Sequence, residues 1–177
     1  MPRIVAVSGS RSEHSTTKRG LRIALDGAAD AGADTHLIDL AAVDLPLYDP
    51  GQDEQGDSER LCRLVREADG VLVGTPVYHG TLSSTFKNFH DYCGFDEYEN
   101  TAVGLLATAG GGSYGGTLEH MRATMRNVHG WTVPHEVGIE GASRAFDDDG
   151  TLADETLQQR TEKLGRVVTE HAERLRD

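Results

Sequence analysis

Long apolar runs are missing from this chain of 177 residues. No stretch reaches the roughly 18 residues that a membrane helix needs, so no membrane span is expected. Cysteine is nearly absent: Cys62 and Cys93 are the whole supply, without a C-x-x-C. That excludes a disulfide framework and points to a reduced cytoplasm. The opening "MPRIVAVSGS" leads straight into a strand pattern without a signal-peptide layout, so a cytoplasmic protein is expected. Lysine is scarce, with only Lys18, Lys87 and Lys163. There is no basic run of the kind a nucleic-acid face requires. Metal-ligand spacing is missing too. The eight histidines make no H-x-x-x-H, and "DDDG" lacks the acidic ladder of a calcium loop, so no metal site is expected. Cysteine also lacks the C-x5-R arrangement of a phosphatase, and Cys62 reads as a core residue on an apolar helix stripe.

Acid is what the chain has in excess. Twenty-nine Asp and Glu against 17 Lys and Arg give a net charge of −12, spread along the whole length. This reads as a solubility device, and with so little lysine it fits a high-salt cytoplasm.

Apolar runs alternate with helical spacing. Ile4 to Val7, Thr35 to Leu40, Gly70 to Thr75, Thr101 to Ala107 and Trp131 to Ile139 read as five strands. Pro134 puts the fifth near an edge or an irregularity. Between them lie helical stripes such as Leu21, Ala24, Leu25, Ala28 and Leu118, Met121, Met125, Val128, and a last helix is expected over 152–175. Residues 45–58 are a loop rich in turn formers. The pattern predicts one α/β domain over 1–177: a flavodoxin-like three-layer sandwich, its five-stranded parallel sheet in the order 2-1-3-4-5 with helices on both faces. Chemistry is then expected in the loops after strands 1, 3 and 4.

The first of these, "SGSRSEHSTTKRG", offers Ser10, Ser12, Ser15, Thr16 and Thr17 beside a helix N-terminus, with Arg11, Lys18 and Arg19 nearby. Free N–H groups and the helix dipole favour an anion there. A serine-rich cap is the plainer alternative. No Walker loop is present, so a single phosphate fits better than a triphosphate. The second, "GTPVYHGTLSSTFKNFHDYC", offers an apolar and aromatic wall at Val77 and Tyr78. The third, "TAGGGSYGG", bares its backbone. It satisfies both G-x-S-x-G through Ser113 and G-x-G-x-x-G through Gly110, Gly112 and Gly115. A hydrolase reading lacks an H-G-G-G oxyanion motif. A dinucleotide reading would use Glu136, but it needs the fingerprint in the first β–α turn, and here it follows the fourth strand.

"GSRSEHSTT", "TPVYHGTLSSTFKNFHDY" and "GGGSYGGTLEHMR" resemble the signature segments of the NADPH-dependent FMN reductases, which include chromate, quinone and azo-dye reductases. Thr75, Pro76, Tyr78, Lys87, Asn88 and Asp91 carry the most specific part of the likeness, and "FDDDGTLADET" also fits. One departure is that Arg11 directly follows Ser10, and Ser12 takes the family's usual arginine place. The resemblance implies FMN as cofactor and NADPH or NADH as co-substrate, with electrons passed to flavin, quinone or a similar small acceptor. It implies that Ser10, Arg11, Ser15, Thr16 and Thr17 hold the phosphate. Thr75, Pro76, Val77, Tyr78, His79 and Gly80 would pack on the ring, and Ala109, Gly110, Gly111, Gly112 and Ser113 would hydrogen-bond its pyrimidine edge. Lys87, Asn88 and Asp91 read as helix and interface supports. Flavin does the chemistry in such a protein, so no catalytic side chain is nominated; Ser113 is expected to help cap the following helix. The family implies a homodimer or homotetramer. A flavodoxin-type electron carrier without turnover is the alternative.

Overall fold

The computed structural model describes residues 1–53 and 55–176. Five strands form one parallel sheet: β1 (Arg3–Ser8), β2 (Asp34–Asp39), β3 (Gly70–Pro76), β4 (Ala102–Thr108) and β5 (Trp131–Ile139). Their order is β2-β1-β3-β4-β5, as the alternation predicts. The three central strands are almost wholly buried because helices cover both faces, which is why they read as unbroken apolar runs.

Successive strand residues point to opposite faces, so each strand feeds two cores. Val5, Val7, Val71, Val73, Val103 and Leu105 face α2 (Ser58–Arg66), α3 (Ser84–Tyr92) and α5 (Gly115–Asn127). Ile4, Ala6, Leu72 and Leu106 face α1 (Thr16–Asp30) and α6 (Glu155–Arg176). A short turn of helix, α4 (Phe95–Tyr98), buries Tyr98 beside the first group. Among the described residues, no helix is long and apolar enough to cross a membrane.

Helices α1 and α6 touch through glycine. A Cβ on Gly165 would sit 1.7 Å from the carbonyl oxygen of Ala24, and one on Gly27 would sit 2.0 Å from that of Glu162. Only hydrogen at these two positions lets the backbones meet. The contact fixes where α1 lies on the sheet, and with it the N-terminus that faces the cleft.

Pro134 behaves as expected. It sits in the edge strand β5, where the register against β4 slips: Val103 pairs with Thr132, but Leu105 pairs with Glu136. Proline has no N–H to give a ladder, so it is tolerated in an edge strand or at an irregularity, and Pro134 has both.

Candidate active site

The loops after β1, β3 and β4 converge at the carboxyl ends of the strands around a cleft of about 450 Å³. Ser10, Ser15, Thr16, Thr17, Pro76, Val77, Tyr78 and Gly110 all line it, so each predicted loop supplies part of the wall.

The β1 loop is held by hydrogen bonds. Gly9 donates its N–H to the Gly74 carbonyl at 2.8 Å. Ser83, which caps α3 by accepting from the Phe86 N–H, donates its hydroxyl to the Gly9 carbonyl at 2.6 Å. The Ser83 N–H in turn donates to Thr75 Oγ1 at 2.8 Å. One serine thus ties together the phosphate-side loop, the end of β3 and a helix start. Ser83→Ala removes the cap and leaves a buried carbonyl unpaired. We expect a loss of about 2–3 kcal/mol in a urea titration, with the slope unchanged.

At the start of α1, Ser15 is the N-cap and accepts the Lys18 N–H at 3.0 Å. The Thr17 and Thr108 hydroxyls lie 2.6 Å apart and join the first loop to the end of β4. The three nearby cations separate. Lys18 is spent on Asp39, with Nζ to Oδ2 at 2.7 Å. Arg11 is exposed and lines a different groove with Leu45, Leu47 and Asn88, so it does not face the cleft as expected. Arg19 does line the cleft, its guanidinium 6.0 Å from the Phe146 ring centre. One turn along the helix carries Arg19 to the face that the loop position of Arg11 misses.

The second loop closes as a tight two-residue turn. Tyr78 and Thr81 exchange backbone hydrogen bonds at 3.0 and 3.1 Å, with His79 and Gly80 both at positive φ, 51° and 78°. Gly80 adopts this region freely and His79 does so under strain. His79 and Gly80 form the exposed tip and do not line the cleft, whereas Tyr78, half-exposed, does. Thr75 is buried and serves the backbone, so it supports the wall without forming it.

In the third loop, Ala109 is buried. Its N–H goes to the Ile139 carbonyl at 2.8 Å and its own carbonyl accepts from Ala142 at 3.0 Å. Both of its backbone groups thus already have partners within the fold. Gly110 reaches the cleft; Gly111, Gly112 and Ser113 continue outward and are exposed. Among the described residues, none accepts a hydrogen bond from the N–H groups of Gly110 to Ser113. Ser113 does not cap α5. The cap position is Tyr114, which makes no side-chain cap bond; its ring lies flat on Gly138, where a Cβ would come within 2.0 Å of it.

The rival motif readings lose their partners. Nδ1 of His120 faces Thr81 Oγ1 at 2.8 Å, and among the described residues no hydrogen bond joins Ser113 to a histidine. Glu136 is tied to Arg122 across α5 and β5. Among the described residues there is no cluster of three or more His, Cys, Asp or Glu fit for a metal. Asn88 accepts from the Tyr48 N–H at 2.9 Å and donates to the Pro46 carbonyl at 2.8 Å. It grips the 45–48 loop. The Lys87–Asp91 pair lies on the exposed face of the same helix.

One part of the wall was not anticipated. Ala142, Ser143 and Phe146, from the 3₁₀ turn after β5 and just beyond it, also line the cleft. His14 and Ser12 complete the rim. The segment "FDDDGTLADET" was the available signal, since it begins at Phe146.

The sequence model of the NADPH-dependent FMN reductases matches residues 2–144. The chain belongs to the NADPH-dependent FMN reductase family. The family is described by its NADPH-dependent reduction of FMN. An NADPH azoreductase from Bacillus sp. (strain OY1-2) is 41% identical over 109 residues, 59% of this chain and 61% of that protein. The match thus spans less than two thirds of that relative. An FMN-dependent NADPH-azoreductase of Staphylococcus haemolyticus (strain JCSC1435) is 32% identical over 130 residues, covering 67% and 69%. The flavoenzyme NAD(P)H:(acceptor) oxidoreductase FerB from Paracoccus denitrificans shares the fold, with a TM-score of 0.79, 18% identity, and 97% and 99% of the two chains covered.

Proposed function

We propose that the cleft holds FMN and that this reductase passes electrons from NADPH or NADH to a small acceptor of the azo, quinone or flavin type. What carries the reading is one juxtaposition. A hydroxyl-lined helix N-terminus stands across a single cleft from a bare glycine backbone, with an apolar wall between them. The cleft volume is in the range that small-molecule sites occupy. FMN, when bound, supplies hydride acceptance and onward electron transfer. The chain's own residues position it. The free N–H groups at the start of α1, with Ser10, Ser15, Thr16 and Thr17, meet the phosphate. Pro76, Val77 and Tyr78 lie against the ring. The N–H of Gly110, where the glycine loop reaches the cleft, would meet the pyrimidine edge and favour negative charge there. Arg19 takes the part on the phosphate side for which Arg11 is poorly placed.

Adding FMN to the purified apoprotein should restore flavin absorbance bands on the protein, and NADPH plus an azo dye should then bleach the dye. Flavin uptake without any NADPH oxidation would leave an electron carrier. A second test concerns the glycine loop. Nothing lies within 4 Å of a Cβ on Gly111, so Gly111→Asp should fold normally. We expect it to weaken FMN binding about tenfold by repelling the electron-rich edge, as read by flavin fluorescence titration.

We further propose one FMN-binding domain over 1–177 that assembles as a homodimer or homotetramer in the cytoplasm. Leu47, Tyr48 and Tyr78, large apolar side chains left exposed in the single chain, support the assembly. The −12 charge supports a salt-rich setting. Screening of that charge predicts a thermal midpoint that rises between low and molar potassium chloride. A flat or falling midpoint removes the high-salt assignment.

A further inference from the structure

The two cysteines lie outside the cleft, and nothing in the flavin chemistry uses them. Cys62 is on α2 and Cys93 is the residue that ends α3, 31 positions along the chain. The fold brings their sulfurs to 3.9 Å. Both are buried but not sealed, at 6% and 9% exposure. Cys62 also points at the Tyr92 carbonyl, with Sγ to O at 3.6 Å. Tyr98, fully buried, packs in the same cluster.

We propose that Cys62 and Cys93 are a reversible oxidation site, joined as an intramolecular disulfide when the protein meets hydrogen peroxide. A disulfide needs the sulfurs at about 2.05 Å, so the pair has about 2 Å to close. No backbone element has to be crossed, because the sulfurs already touch.

The chemistry has an order. Cys62 is the attacking sulfur: the hydrogen bond from the Cys93 thiol holds its pKa below the ordinary thiol value, and Arg66 adds to this. Burial and the charges of Glu97 and Glu59 oppose it. Cys93 is raised well above the ordinary value by the same hydrogen bond and by burial, so it keeps its proton. The Cys62 thiolate attacks one peroxide oxygen; the O–O bond breaks, and the departing oxygen takes a proton and leaves as water. Cys62 is now a sulfenic acid, the two electrons having gone to peroxide. The Cys93 sulfur then attacks the Cys62 sulfur, the S–O bond breaks, and hydroxide leaves with the Cys93 proton as a second water. Two thiols and one peroxide give one disulfide and two waters.

The bond closes residues 62–93 into a ring. Inside that ring lie β3, the Pro76–Tyr78 wall of the cleft and Ser83. Cross-linking restricts the unfolded chain, so the oxidised form should resist unfolding more than the reduced form.

The test treats the full chain with a small excess of hydrogen peroxide, with or without added FMN, since the proposal does not depend on the cofactor. The expected result has three parts. Free thiols per denatured chain fall from two to none and return with dithiothreitol. Peptide mapping finds a Cys62–Cys93 link in a protein that stays monomeric in chain size on a non-reducing gel. The thermal midpoint rises by several degrees on oxidation and falls back on reduction. In Cys93→Ser, a sulfenic-acid probe should label Cys62. Persistence of both thiols, oxidation of Cys93 with Cys62 intact, or cross-links only between chains would overturn the proposal. The wild-type map decides even if the variant fails to fold.

Discussion

Gly165→Ala should cost more than about 3 kcal/mol, a large effect for the addition of one methyl group. The methyl would lie 1.7 Å from the Ala24 carbonyl oxygen, which belongs to the backbone of α1 and cannot swing aside as a side chain could. The helices must separate, and the apolar side chains that α1 and α6 share, such as Leu21, Leu164 and Val168, lose their close packing. Because α1 also carries Thr16, Thr17 and Arg19 to the cleft, FMN affinity should fall with stability. Gly115→Ala is the control. Its Cβ meets nothing within 4 Å, so the same substitution in a helix should stabilise by up to about 1 kcal/mol. Urea midpoints for both variants give the comparison. If Gly165→Ala lies within about 0.5 kcal/mol of the parent, the close approach of the two helices is wrong.

Thr16→Asp should separate stability from binding. Thr16 opens α1, lines the cleft, and stands in a first turn that holds no acidic residue. A carboxylate there meets the positive end of the helix dipole, so the apoprotein should be unharmed or gain about 0.3–1 kcal/mol. The same carboxylate would stand where the proposed phosphate sits. Two negative charges about 5 Å apart in partly screened surroundings repel by about 3 kcal/mol. That corresponds to roughly a 100-fold loss of FMN affinity. Riboflavin, which lacks the phosphate, should bind the variant and the parent alike. Equal losses for both ligands would remove the phosphate from the start of α1.

The sheet order was legible because β1, β3 and β4 are covered on both faces, and their apolar runs say so directly. The β1 loop was legible as an anion site from its hydroxyls. Its cation was not: Arg11 is nearer the loop in sequence, but Arg19 reaches the cleft through the turn of α1, and that depends on how the helix is set on the sheet. Phe146 and Ser143 were not chosen because they arrive from beyond β5 and meet the cleft only after the chain has crossed the whole sheet. Ser113 reads as a cap by residue type. The stacking of Tyr114 on Gly138 starts the helix one residue later instead. Gly27 and Gly165 look in sequence like weak points in two helices; only each helix's partner shows that they are the contact.

Strand β5 leaves one edge of the sheet open, yet it is a poor template for an added strand. Pro134 offers no donor, and the slip between Thr132 and Glu136 breaks the even spacing that an incoming backbone would have to match. Parallel sheets with smooth open edges invite edge-to-edge aggregation. Here the irregularity interrupts that route midway along the strand, so stacking of copies through continuous sheet is disfavoured. Replacing Pro134 by a β-branched residue would remove part of that protection while leaving the cleft untouched.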